Sequence, residues 1–170
     1  LNIILLEIDA SIENSTVVAD AVGGDVSVTA TNDAIIRSLS GGAAVAGGNQ
    51  GEAVGAALSL NLIVATADAF IDGSSVTASD GSVFVDADST NRIDTISVGV
   101  ALAQQTGLAG SAIVSLIVTA TQAYITGSVV DADRNLFVQA DQDADITSIG
   151  GAVGASATTT GVGGALTVNL

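Results

Sequence analysis

Residues 58–78 read LSLNLIVATADAFIDGSSVTA, and residues 112–132 read AIVSLIVTATQAYITGSVVDA. Aligned without a gap, they agree at nine of 21 positions. Working outward, the same pattern surrounds four anchors: Leu1-Asn2-Ile3, Leu60-Asn61-Leu62, Val114-Ser115-Leu116 and Val168-Asn169-Leu170. The anchors are spaced by 59, 54 and 54 residues. Ten residues after the first three stands Ile12, Ile71 or Ile125, each two residues after an Ala (Ala10, Ala69, Ala123). Asn14, Gly73 or Gly127 follows, then Ser15, Ser74 or Ser128. Asn and Gly best tolerate positive φ, so this pattern predicts one turn kept three times by backbone need.

A second block comprises Val26–Ala30, Val83–Ala87 and Leu136–Ala140, with Ile36, Ile93 or Ile146 ten residues after its start. Length varies only between the turn and this block, and in the Gly/Ala stretch before the next anchor. Rigid blocks with elastic joints are the signature of stacked units. The array divides into repeats at 1–59, 60–113 and 114–167, with a fourth beginning at 168–170. The chain is expected to be cut from a longer protein.

The blocks alternate with period two and are rich in β-branched residues, which indicates strands. In 58–71 the apolar phase changes: Leu58, Leu60, Leu62 and Val64 share one face, then Ala65, Ala67, Ala69 and Ile71. Such a switch implies a bulge or corner near Ala65–Thr66. The Gly/Ala segments Gly41–Gly48, Val98–Ala103 and Ile149–Ala157 run into polar turns at Asn49–Gly51, Gln104–Gly107 and Thr158–Gly161. They read as β-hairpins with four- or five-residue loops. The expected fold is all-β: a repetitive, parallel β-helix-like solenoid with Gly/Ala-rich hairpins. Each repeat is either two turns, or one turn carrying a long hairpin.

Composition narrows function. Hydrophobic residues make up 48% and aromatics 2%, so the core must be Ala, Val, Ile and Leu. Cys and His are absent, which removes disulfides, thiolate metal sites and the commonest general base. Eighteen acids against three Lys+Arg give a net charge of −15, which disfavours nucleic acid as a partner. The uncharged stretch between Asp94 and Asp131 is interrupted by Gln104-Gln105-Thr106-Gly107 and lacks an aromatic belt. No transmembrane segment is expected.

The succession Val-Asn-Leu, Ala-x-Ile-x-Gly-Ser, Val-x-Val-x-Ala and a Gly/Ala segment resembles repeats of very large secreted bacterial proteins. These are the leukotoxin-type filamentous adhesins and related filamentous-haemagglutinin-like proteins. The resemblance covers essentially the whole chain, through motifs of common small residues. It implies a right-handed β-solenoid stalk, secretion to the cell surface, and a role in adhesion or matrix building. Other copies or adjacent repeats, joined through strand edges, and a host or neighbouring cell surface are the implied partners. No secretion-signal domain, receptor-binding insertion or membrane anchor stands in these residues, so adhesive activity is assigned to none of them.

The candidate chemistry lies in the carboxylates Asp86 and Asp88, Asp131 and Asp133, and Asp141, Asp143 and Asp145. Alternating acids on a strand point the same way, and calcium takes several oxygens at about 2.3–2.6 Å. A calcium-stiffened binding module is therefore one alternative. The competing reading is a solvated acidic face that keeps a β structure soluble. Paired acids also suggest a β-helix polysaccharide lyase or hydrolase. Against this stand the three scattered Arg, the absence of Lys and His, and the scarcity of aromatic platforms. No enzyme and no obligatory cofactor are expected. Arg37, Arg92 and Arg134 should pair with neighbouring Asp, and Phe70, Phe84, Tyr124 and Phe137 should fill corners of the core.

Overall fold

The computed structural model describes residues 1–48 and 51–170. Asn49 and Gln50, part of the first expected polar turn, lie outside the described residues. Asn14, Gly73 and Gly127 adopt φ of 47°, 57° and 59°. They form one left-handed turn in each repeat, where Asn or Gly is least strained. Each lies between a long strand and a short one. The strands are β1 (Asn2–Glu13), β2 (Thr16–Ala19), β3 (Val26–Val45), β4 (Glu52–Asp72), β5 (Ser75–Ala78), β6 (Val83–Ala103), β7 (Thr106–Thr126), β8 (Val129–Ala132), β9 (Leu136–Ser156) and β10 (Thr160–Asn169).

Equivalent strands stack into three sheets. Sheet A runs β1-β4-β7-β10, sheet B runs β2-β5-β8 and sheet C runs β3-β6-β9. Every ladder is parallel. The register follows the sequence anchors: Asn2, Asn61, Ser115 and Asn169 form one column, and Ile12, Ile71 and Ile125 another. In sheet C, Val26 pairs with Val83 and Leu136, and Ile36 with Ile93 and Ile146. One repeat is thus one rung of a parallel β-solenoid, with three rungs and the start of a fourth. Among the described residues no helix is long and apolar enough to cross a membrane.

Each rung has a broad base and a thin arm. At the base, sheet B closes the gap between sheets A and C. Ala67, Ala69 and Ile71 meet Val76 and Ala78 of β5 and Val26, Val28, Val83 and Val85 of sheet C. Further along, Ile63 and Ala65 face Ala34, Ile36 and Ile93. At the arm's tip the interior shrinks to Ala53, Ala101, Ala103 and Ala109.

The Gly/Ala segments are not hairpins, because strands consecutive through the tip belong to different sheets. β3 and β4, like β6 and β7, face each other across the interior, and their backbone ladders run to the rungs above and below. Glycine makes this possible by letting backbones approach. A Cβ on Gly42 would stand 1.8 Å from Ala56 O, one on Gly55 2.1 Å from Val100 O, and one on Gly99 2.2 Å from Gly110 O. Face-to-face sheets normally sit about 10 Å apart. Here the main chains nearly touch.

The expected bulge at Ala65–Thr66 is also absent: β4 runs unbroken, and odd-numbered residues point inward from Ala53 to Ile71. Leu58 and Leu60 therefore face outward over the arm, while Gly55, Ala57 and Ser59 line its interior on β4 and the large side chain of Ile113 is buried beside them. The aromatic residues follow the same alternation. Phe70 stacks on Tyr124 with centroids 5.0 Å apart, and Phe84 on Phe137 at 5.2 Å. Both pairs stand on outer faces rather than in core corners, because Ala69, Ile71, Val83 and Val85 hold the neighbouring inward positions.

Candidate functional site

Alternation along β6 and β9 turns Asp86, Asp88, Asp141, Asp143 and Asp145 onto the outer face of sheet C. Register places Asp88 beside Asp141, whereas Asp86 neighbours Gln139, Asp143 neighbours Thr90, and Asp145 neighbours Arg92. Successive acids on β9 are about 6.6 Å apart along the strand, but Asp88 and Asp141 are separated by one ladder spacing of about 4.8 Å. Gln139 donates to Asp141 through its side-chain amide. Asp131 lies apart on β8, beside Thr77, and Asp133 accepts the Asp80 N–H at 3.0 Å. The structure therefore brings Asp88 to Asp141 and leaves Asp131 and Asp133 on another side of the rung. Among the described residues, no three acids converge into a group that could hold a metal ion.

Each arginine pairs with an Asp, Arg92 with its sequence neighbour and Arg37 and Arg134 with an Asp of the adjacent rung. Arg92 Nε is 2.9 Å from Asp94, which also lies 3.7 Å from Arg37, and Arg92 reaches Asp145 at 3.7 Å. This chain of charges crosses all three strands of sheet C. The Arg92 hydrogen bond holds the Asp94 carboxyl below the usual carboxylate range, and Asp94 in turn raises Arg92. Arg134 meets Asp80 at 3.2 Å.

Beside the acids is a shallow opening of about 260 Å³, lined by Ser27, Thr29, Phe84, Asp86, Phe137 and Gln139. It offers one carboxylate, an amide, two hydroxyls and an aromatic edge. Hydrolysis of a glycosidic bond needs two acids set across a sugar, and only Asp86 lines this opening.

Two features escaped the sequence reading. The first is a polar seam between sheets A and C. Asn2 donates to Asn61 at 2.8 Å, and Asn61 donates to Thr95 at 2.8 Å. Asn32 donates to Asn91 at 3.0 Å and to Ser89 at 2.9 Å. Asn32, Ser89, Asn91 and Ser115 are buried. Stacked amides bond to one another across rungs, as buried polar groups require, although Asn32 Oδ1 is left without a partner. The anchor Asn, set between apolar neighbours at each recurrence, was the available signal. The second feature is the pair Asp9 and Asp68, adjacent in sheet A. Burial, then the Asp9 carboxylate, raise the Asp68 carboxyl above its ordinary value.

The conserved turn is also built by side chains. Ser74 Oγ accepts the Ser15 N–H at 3.0 Å and donates to Asp72 O at 2.8 Å, while Ser128 Oγ accepts the Ser74 N–H at 3.0 Å. The serine after each Asn or Gly thus passes one hydrogen bond from rung to rung. No protein-family model matches the chain, and no curated protein or solved structure matches it significantly.

Proposed function

We propose that this chain is a structural repeat module of a large extracellular bacterial surface protein, serving as a rod or stalk for adhesion or for surface and matrix assembly. The observation that carries this reading is what recurs in register from rung to rung. The recurring columns are the left-handed turn, the serine that bonds across it, the inward Ile and Ala, and the anchor amides. All of these hold backbone in place. The residues capable of chemistry change between rungs: Thr31 becomes Asp88 and Asp141, and Thr29 becomes Asp86 and Gln139. A mechanical role needs the first set and is indifferent to the second.

The edges supply the mechanism. Sheet C ends on β3 and β9, strands of 20 and 21 residues. Strand edges of that length template further pairing, either with more rungs of the same protein or with another copy. The resemblance to filamentous-adhesin repeats supports a location at the cell surface. Electron microscopy of the purified chain tests the proposal. Rods or end-to-end fibres are expected, and compact isolated globules would count against it. The calcium-stiffened alternative rests on Asp88 and Asp141. It predicts a melting temperature that rises with millimolar calcium and falls again with chelator, and an unchanged value would sink it.

A further inference from the structure

We propose that the outer face of the arm in sheet A docks a second copy of this chain, arm on arm and antiparallel. This is a lateral contact, separate from pairing through strand edges, and it does not depend on the rod reading.

The face is built from the wrong side of an ordinary sheet. Toward the tip the arm's interior is mostly Gly, Ala and Ser, and large side chains gather on the outer face: Val54, Leu58, Leu108, Val118 and Leu166 are 69%, 61%, 44%, 50% and 62% exposed. No Asp, Glu, Lys or Arg occurs in 53–67, 106–130 or 146–170, which supply this part of the sheet. Residues 54–64 span about 36 Å, and three strands about 14 Å across. The patch is then about 500 Å² per copy, at the upper end of what a monomer normally exposes. Paired with itself it covers about 1,000 Å², the area at which a specific interface begins.

Its relief favours a copy of itself. Ala56, Gly110 and Gly164 align across β4, β7 and β10, and Ala56 and Gly110, with Leu58 and Ala112, line a furrow of about 380 Å³. Unlike the inward glycines, Gly110 and Gly164 are not needed by the fold. A Cβ on Gly110 would meet nothing nearer than Gly164 O at 4.0 Å, and one on Gly164 nothing within 4 Å. Glycine weakens a strand interior and often marks the close approach of another chain. The neighbouring column, one pleat away, carries Leu58 and Leu166 on its flanking strands as a ridge interrupted by Ala112. A two-fold axis between ridge and furrow sets the ridge of each copy in the furrow of the other, a self-complementary closed contact. It also reverses the arms, so the acids Glu7, Asp9 and Asp68 at the base of each copy fall beyond the other's tip, and Glu52 at each tip comes to the rim of the contact, opposite Leu62. A lipid surface fits less well, because the open strand edges would enter hydrocarbon unpaired.

Sedimentation of the full chain in about 0.5 M salt, which screens the −15 charge, tests the idea. The expected particle has twice the 16.4 kDa chain mass. Gly110→Leu fills the furrow where the fold has room and should raise the dimer dissociation constant at least about tenfold. Gly151→Leu, on the outer face of sheet C, should leave it unchanged, with circular dichroism checking that both variants fold. If the chain forms fibres, they should be double-width and become single-width in Gly110→Leu. A monomeric wild-type chain, a dimer or fibre width indifferent to Gly110→Leu, or monomers that instead float with phosphatidylcholine vesicles would each overturn the proposal.

Discussion

The base and the arm of each rung share a backbone plan and differ in nearly everything that plan holds. Both are made of the same strands: β4 and β6 run through base and arm without changing which side of the strand faces in. At the base, sheet B props the two long sheets apart, and the gap is filled by Ile71, Val76, Val83 and Val85. In the arm nothing props them, so they close until main chain meets main chain, and toward the tip Gly and Ala are what remain inside. The outer faces invert accordingly. The base carries its acids outside, whereas the arm carries Leu and Val there. Core size in a two-sheet slab is thus set by what holds the sheets apart, and the outer face takes the side chains the interior cannot.

The sharpest way to break this comparison is at Gly42. Gly42→Ala places a methyl where Ala56 O already lies 1.8 Å away. It should separate the arms of sheets A and C and cost more than about 4 kcal/mol. Gly41→Ala, one residue away but outward, has 3.9 Å to Val98 O and should be nearly neutral. Urea denaturation of both variants, with hydrogen exchange over 38–48, distinguishes them, and equal stabilities would refute the close packing. Next in size is Ile71→Ala, which empties a fully buried site in the base and should cost about 2–5 kcal/mol. Leu60→Ala, on the outer face of the arm, should cost much less in the monomer. If the two losses matched, the division into a packed base and an inverted arm would fail.

The smallest effect concerns Asp68. Burial and Asp9 raise its carboxyl in the folded chain, so the folded state holds that proton more tightly than the unfolded state does. The ionised form is therefore destabilising above the raised value, and the penalty disappears once pH falls below the ordinary carboxylate value of about 3.9. Asp68→Asn should raise the melting temperature at pH 7 by less than about 2 °C. That gain should shrink to nothing in thermal melts carried below the carboxylate range, and a gain constant with pH would contradict the assigned cause.

Much of the fold was legible in the chain. The Asn14, Gly73 and Gly127 turn, the Val26, Val83 and Leu136 blocks, and the column of anchors all reappear as register partners. Repetition made them readable, because a solenoid turns sequence period directly into spatial contact. Of the Arg–Asp pairs, Arg92–Asp94 was legible from its two-residue spacing, whereas the partners of Arg37 and Arg134 come from another rung. The candidate acids were less so. Alternation correctly predicts that Asp141, Asp143 and Asp145 share a face, but which acid meets another on the next strand depends on register, and only Asp88 and Asp141 do. The hairpins and the bulge were misread because a Gly/Ala run with a polar turn looks the same whether its arms pair edge to edge or face to face. The choice between those arrangements is made by the neighbouring rungs. Once every strand has partners above and below, no edge is left for its own successor.

By itself, then, the sequence determined period, strand, turn and the absence of His and Cys, since these are properties of single residues and their local spacing. Only the tertiary structure decided which side of each strand is inside. That depends on the distance between two sheets, a quantity no single strand contains. Leu58 is apolar and would pass for core in any sequence reading. It is outside because Gly55, three residues earlier, lies against Val100 with no room for a Cβ between them.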